Sequence, residues 1–192
     1  MKKGKIIIIS GPSGSGKTTL HKQLMEDKRF KGRLIESVSA TTRARRKGEK
    51  DGRDYLFISR KMFLYKKRRG HFLESEKVFE NYYGTPFKNV RDILLAGKNV
   101  LLCIDVKGAK SVKKSFPKAV TIFIKTPSIA VLADRLKKRG SEGDSVVALR
   151  LASAKCELKE EKRYEHVIVN DDFQKAFDRL AEVVNFELKG VS

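Results

Sequence analysis

The sequence predicts an α/β fold: a mostly parallel five-stranded sheet with helices on both faces, an inserted mixed β subdomain and a short helical lid. Three observations carry this. The apolar run Ile6-Ile7-Ile8-Ile9 leads straight into Ser10-Gly11-Pro12-Ser13-Gly14-Ser15-Gly16-Lys17-Thr18-Thr19, a strand, a glycine-rich turn and a helix start in succession. Four further apolar runs alternate with amphipathic helical patterns, as parallel strands joined by crossover helices require. Between them, residues 38–85 abandon that alternation for turn residues and short apolar stretches. A chain of 192 residues suits one sizeable core with a small subdomain attached. We therefore read a single domain, with its core in residues 1–37, 86–135 and 151–192, the inserted subdomain at about 38–85 and the lid at about 136–150.

Taken in order, the first strand, loop and helix are followed by a second strand over residues 33–38. Gly48 and Asp51-Gly52 punctuate a basic stretch that ends in the strand Tyr55-Leu56-Phe57-Ile58. A helix over residues 60–69 stops at Gly70, residues 72–79 form another strand, and Asn81-Tyr82-Tyr83-Gly84 reads as a turn. Thr85 before Pro86 reads as an N-cap with proline at the first helical position, and Gly97 as the stop of that helix. Alternation then resumes with a strand at 99–105, a helix at 107–114 and a strand at 119–125. Thr126-Pro127 opens a helix whose Ile129, Leu132, Ala133 and Leu136 share one face, stopping at Gly140. Residues 145–163 read as one helical stretch, 167–169 as the last strand, and Phe173, Ala176, Phe177, Leu180 and Val184 mark a C-terminal helix. Gly140 and Gly143 give the segment between the two helices around residues 139–145 the character of a flap.

Gly11 to Thr19 has the residue types that cradling a polyphosphate demands. Glycines permit the backbone conformations that aim several N–H groups at one anion, and the helix that follows adds its positive end. Lys17 is then placed to neutralise β- and γ-phosphates, and the Thr18 hydroxyl to ligate magnesium. The pattern is that of a P-loop.

Composition bounds the rest. Hydrophobic residues make up 40% of the chain, and no apolar run approaches the ~18 residues that span a bilayer. Met1 leads directly into strand and loop with no signal-like apolar segment, so a cytoplasmic location without membrane contact is expected. Cys103 and Cys156 share no CxxC spacing, which argues against a disulfide framework or a zinc site, and Cys103, within an apolar strand, reads as a core residue. The net charge of +20 exceeds what a nucleotide site uses. A solvated, lysine-rich surface is the simpler reading; nonspecific contact with nucleic acid is the alternative. Oligomeric state stays open between a monomer and a weak homo-oligomer.

Asp105 closes the strand that begins near Asn99. By pattern alone it suits a metal-side aspartate, a group facing a second substrate, or a purely structural residue. Here the motifs accumulate: Gly11 to Thr18; Ser39-Ala40-Thr41-Thr42-Arg43 with Arg46, Glu49, Gly52 and Tyr55; Phe72-Leu73-Glu74; Asn81-Tyr82-Tyr83-Gly84-Thr85; Ile104-Asp105-Val106; and Val167-Ile168-Val169-Asn170-Asp171-Asp172. In order and spacing, over nearly the whole chain, they resemble the guanylate kinase family.

The resemblance implies a Mg²⁺-dependent, reversible transfer of the γ-phosphoryl group of ATP to GMP. It implies an ATP site at Gly11, Pro12, Ser13, Gly14, Ser15, Gly16, Lys17, Thr18 and Thr19, with Asn170 near the adenine and Thr18 on the metal. Arg43, Arg46, Tyr55 and Tyr83 match the residues that hold the GMP phosphate. Glu74 and Asp105 match those that accept from the guanine N1–H and amino group, moving Asp105 from a metal role to base recognition, and Ser39 and Thr85 match hydroxyls completing that contact. Lys17, Arg43, Arg135, Arg139 and Arg150 match the cations around the transferring phosphoryl group.

The chain also departs from the family pattern. Cys103 stands where an acidic residue is usual, Arg45 replaces a common proline, Lys107 a common glutamine, and Glu76-Lys77 differ from the usual pair. Two rival readings are a phosphotransferase for a phosphorylated sugar, against which Glu74 and Asp105 argue, and a guanylate-kinase-like binding module, against which Gly16-Lys17-Thr18 argues.

Overall fold

Ile6–Ser10 forms the first strand, β1, and occupies the centre of a five-stranded sheet in the computed structural model, which describes residues 4–138 and 144–189. Leu34–Glu36 (β2), Asn99–Cys103 (β7), Val120–Lys125 (β8) and His166–Val169 (β9) complete it in the order β2-β7-β1-β8-β9. Every pairing is parallel. Side chains alternate faces along a strand, so the isoleucine run serves two cores. Ile7 and Ile9 join Leu101, Ile122 and Ile124 beneath the helices Lys17–Glu26 (α1) and Phe173–Lys189 (α7). Ile6 and Ile8 join Val100 and Leu102 beneath Phe87–Leu95 (α3) and Val106–Ser115 (α4). Burial on both faces explains why β1 reads as a continuous apolar run rather than an alternating one.

The inserted region forms a second sheet of Ala40–Thr41 (β3), Leu56–Phe57 (β4), Phe72–Val78 (β5) and Asn81–Pro86 (β6), in the order β4-β3-β6-β5. It is mixed: β3 runs parallel to β4 and antiparallel to β6. The helix Arg60–Arg68 (α2) covers it with Phe63, which is fully buried and stacks on Phe72 and Tyr82 at ring separations of 4.5 and 5.4 Å. Ser59 caps α2 by accepting from the Met62 N–H, and Gly70 ends the run as expected.

Two expectations in this region are corrected. Residues 81–84 are not a turn but the first part of β6; the β5–β6 hairpin turns at Phe79-Glu80, where Phe79 takes a positive φ of 52°. Gly84 is a strand residue because a side chain there would press on the rings of Phe63 and Phe72. Thr85, correspondingly, is not an N-cap. It lies in β6, and Pro86 stands at the cap position of α3 without a side-chain hydrogen bond.

Elsewhere the alternation holds with shifted ends. Gly97, at φ 70°, closes α3 by donating to the Leu94 carbonyl. Ile129–Lys138 (α5) is capped by Ser128 rather than Thr126, with the Ser128 hydroxyl accepting from the Val131 N–H. The stretch expected to be one helix is an α-helix over Asp144–Leu158 (α6) followed by a 3₁₀ segment at Lys159–Arg163. The expected stop at Gly140 and most of the flap at 139–145 lie outside the described residues. No helix among the described residues is long and apolar enough to cross a membrane.

Candidate active site

A cleft of about 550 Å³ opens between the carboxyl ends of β1, β2 and β7 and the second sheet. Open parallel sheets place ligand sites there because strand ends and helix starts converge. Gly11, Ser13, Lys17, Thr18, Ser39, Arg43, Arg46, Tyr55, Glu74, Tyr83, Asp105 and Arg150 line it together.

On one wall, the P-loop is held by its own backbone and by the far edge of the sheet. Gly11 (φ 143°) and Gly16 (φ 90°) are in the region that favours glycine. A Cβ on Gly11 would collide with the Ile124 carbonyl, and one on Gly16 with the Asn170 amide. That amide donates to the Ser15 carbonyl at 2.8 Å, and Asn170 is buried. Arg135, on α5, donates from Nη2 to the Asn170 carbonyl at 2.9 Å. Both residues thus brace the loop from behind. Lys17 Nζ rests 3.4 Å from the Pro12 carbonyl, and Thr18 is exposed at the first turn of α1.

The opposite wall is built from side chains. Arg43 donates from Nη2 to both oxygens of Glu49, at 2.7 and 3.0 Å, and lies 5.5 Å over the Tyr55 ring. Glu49 also accepts from the Arg46 main-chain N–H at 2.8 Å, so one carboxylate holds the Arg43 guanidinium and the Arg46 backbone. Burial pushes the Glu49 carboxyl up, but these donors outweigh it and hold the group below its ordinary range. Tyr55 and Tyr83 meet edge to face at 6.0 Å, and burial pushes the Tyr55 phenol up to about 12.

Deeper in, Glu74 is 7% exposed and accepts from the Thr85 hydroxyl at 2.6 Å. Burial pushes its carboxyl up to about 7, with the charge of Asp105 adding and the Thr85 bond opposing. Asp105 caps α4, its Oδ1 accepting from the Gly108 N–H at 2.8 Å. Gly108 is what lets these carboxylates sit together: a Cβ there would stand 2.8 Å from Glu74 Oε2.

The structure therefore gathers most of the expected residues and sorts the others. Thr85 is buried and reaches the cleft through Glu74; Asn170 and Arg135 stand behind the P-loop; Arg139 lies outside the described residues. Arg150, on α6, faces the cleft with its guanidinium 5.5 Å from the Phe79 ring. Cys103 is corrected: at the end of β7 it is half-buried and lines the cleft instead of filling the core. Burial pushes its thiol up to about 11, so it brings no charge at neutral pH.

Sequence reasoning passed over three contributors. Glu49 appeared only as a motif position, and Gly108 gave no signal because its role is the absence of an atom. The third is a pair on the cleft floor, His21 and Glu36, with Nε2 3.4 Å from Oε1. Their spacing in the chain gave no reason to join them.

Comparison with known proteins agrees with this geometry. The family model described as guanylate kinase matches residues 3–187. A guanylate kinase of Rickettsia bellii is 41% identical over 187 residues, covering 97% of this chain and 96% of its own. One from Carboxydothermus hydrogenoformans is also 41% identical, covering 97% and 90%. The crystal structure of guanylate kinase from Anaplasma phagocytophilum superposes with a TM-score of 0.79 at 34% identity, over 98% of this chain and 88% of that one. With a family model, near-full-length relatives and a matching architecture in agreement, the chain belongs to the guanylate kinase family.

Proposed function

We propose that the protein transfers the γ-phosphoryl group of ATP to GMP, giving ADP and GDP. The observation that carries this is the buried Glu74, hydrogen-bonded to Thr85 and set beside Asp105, across the cleft from the P-loop. A carboxylate held this deeply needs donors, and the guanine N1–H and 2-amino group supply them. Adenine presents a bare N1 and no 2-amino group, so AMP would leave buried acceptors unpaired. Sites of this kind discriminate by about 10⁴-fold.

In this reading Arg43, Arg46, Tyr55 and Tyr83 hold the GMP phosphate as a dianion, two guanidinium forks and two phenols being matched donors. Ser39 completes the pocket for the base. An oxygen of that phosphate attacks the γ-phosphorus, the bond to the β–γ bridging oxygen breaks, and ADP leaves with the electron pair. The nucleophile is already anionic, so no general base is required, and catalysis rests on alignment and charge stabilisation. The P-loop N–H groups and Lys17 hold the β- and γ-phosphates, Arg43 aligns the acceptor, Arg150 serves the transferring group from the lid side, where the family pattern also expects Arg139, and Arg135 acts from behind the P-loop through Asn170.

Among the described residues no group of three or more His, Cys, Asp or Glu is arranged around a metal. The donors present nevertheless fit magnesium, which takes phosphate oxygens and water readily and asks for little more than the Thr18 hydroxyl. When bound, it withdraws charge from the β- and γ-phosphates. Residues 38–85 then act as a GMP-binding subdomain and 136–150 as a lid, closing to exclude water. A cytoplasmic location fits these substrates.

The test is ADP formation from Mg-ATP with GMP, AMP, CMP, UMP and ribose bisphosphate offered singly. Turnover with GMP alone is expected. Turnover with another acceptor and none with GMP would overturn the reading, and no turnover with any would favour a binding module.

One surface supports a second, additional reading as a nonspecific nucleic-acid contact. Along α2 and its end, Arg60, Lys61, Lys66, Lys67, Arg68 and Arg69 form no ion pair among those found in the described residues, while Lys22, Lys88, Lys113 and Lys138 on other helices do. RNA retention that falls steeply with salt is the expected signature.

A further inference from the structure

The cleft is lined by several carboxylates, and most are already engaged. Arg43 holds Glu49, Lys22 and Arg53 hold Asp54, Thr85 holds Glu74, the Gly108 N–H holds Asp105, and Ser153 holds Glu157. Glu26 is exposed at the margin. Glu36 differs: it lies in the cleft floor with no hydrogen-bond donor and no lysine or arginine paired to it among the described residues. His21, beside it, brings no positive charge either. His21 is 4% exposed, its Nε2 is buried without a hydrogen-bond partner, and burial lowers its pKa to about 4, so the ring is neutral.

A buried ring nitrogen without a partner, His21 Nε2, beside a half-buried cleft carboxylate that accepts no hydrogen bond asks for a ligand or ordered water. Their position says which. His21 follows Thr18 by three residues and Lys17 by four, so it lies on the same side of α1, one turn below the phosphate-binding end. Glu36 pairs in register with Leu101, two residues before Cys103, so Glu36 and Cys103 project from the same face of the sheet. Lys17, His21, Glu36 and Cys103 all line the same cleft. Cys103 itself offers no charge there.

We propose that Glu36, backed by His21, is the carboxylate that receives the water shell of the divalent ion accompanying ATP. Cys103, on the same face of the sheet at the end of β7, offers no carboxylate there. A hydrated Mg²⁺ keeps several waters, each a hydrogen-bond donor, and these are what Glu36 and His21 lack. Glu36 is a positioning residue in this scheme, acting on the ion through water. The inference rests on the phosphotransfer reading above, and it assigns the outer support of the metal to β2.

The experiment measures binding of the non-hydrolysable ATP analogue AMP-PNP to the full chain by calorimetry, with Mg²⁺ saturating and with EDTA, alongside thermal unfolding to monitor the fold. For Glu36→Gln, metal-free binding should equal or exceed that of the unmodified protein, because a negative charge near the phosphates is gone. Binding with Mg²⁺ should weaken about tenfold, the scale of lost outer-sphere support for a metal. Adding Cys103→Asp to Glu36→Gln should recover most of that loss, since it returns a carboxylate to the same face from the neighbouring strand. Equal weakening with and without metal, an unchanged Mg²⁺ effect, or no recovery on adding Cys103→Asp would overturn the proposal. Failure of the unmodified protein to bind AMP-PNP under either condition would remove the phosphotransfer reading, and this inference with it.

Discussion

The two walls of the cleft are built in opposite ways. The P-loop wall uses main-chain geometry, with Gly11 and Gly16 in conformations where a Cβ collides with neighbouring atoms, and with Asn170 and Arg135 bracing the loop from outside. The facing wall uses side chains that hold one another, with Glu49 holding the Arg43 guanidinium and the Arg46 backbone, and Thr85 and Gly108 positioning Glu74. A backbone cradle fits any nucleoside triphosphate. Paired carboxylates and guanidinium forks fit one acceptor. Generality thus resides in the first wall and selectivity in the second, and substitutions should separate them.

The largest effect is expected on the general side. Lys17→Ala should lower kcat by 10³-fold or more while the KM for GMP stays within a few-fold, because the charge removed serves the transferring group. A comparable rise in the KM for GMP, measured by steady-state kinetics, would blur the division. On the selective side, Glu74→Ala should raise the KM for GMP about 10²-fold and leave that for ATP unchanged, since it removes a charged acceptor from buried donors. Equal changes in both would remove Glu74 from base recognition.

Smaller effects sharpen the contrast. The Glu74 carboxyl is raised to about 7, so it is protonated below that pH and ionised above it. Guanine donors need the ionised form, so affinity for GMP should be present above pH 7 and lost as pH falls through it. The KM for GMP at pH 6 should be about tenfold that at pH 8, in line with the change in ionised fraction. Glu74→Gln should flatten the profile, which separates this titration from that of GMP itself. Last, Gly108→Ala should raise the KM for GMP several-fold by crowding Glu74 Oε2, without altering kcat at saturating GMP. An unchanged KM would show that the carboxylate has room to yield.

The same contrast explains what was legible in the sequence. The main sheet could be read because β1, β7 and β8 are buried on both faces and their sequences are dominated by apolar residues. The second sheet was harder to read. β3 and β4 have two residues each, too few for periodicity to speak, and its hairpin turns on Phe79-Glu80, residues with no turn signature. Asn81 and Gly84 carried that signature, but Gly84 is there to admit Phe63 and Phe72. In the site, residues with contiguous motifs were found directly. Those whose role is relational were not: Gly108 matters through Glu74, and His21 and Glu36 stand on different elements and meet only in the fold. Cys103 was misread because an apolar strand does not reveal that its last residue emerges into a cleft.

The hydrogen bond from Asn170 to Ser15 joins residues 155 positions apart. A nascent chain emerges N-terminus first, so the glycine-rich loop leaves the ribosome long before the strand that braces it. Through most of synthesis the motif is present but its buttress is not. The nucleotide site is thus among the last features to be finished, although its signature is among the first residues made, and ATP can reward correct folding only near the end of translation.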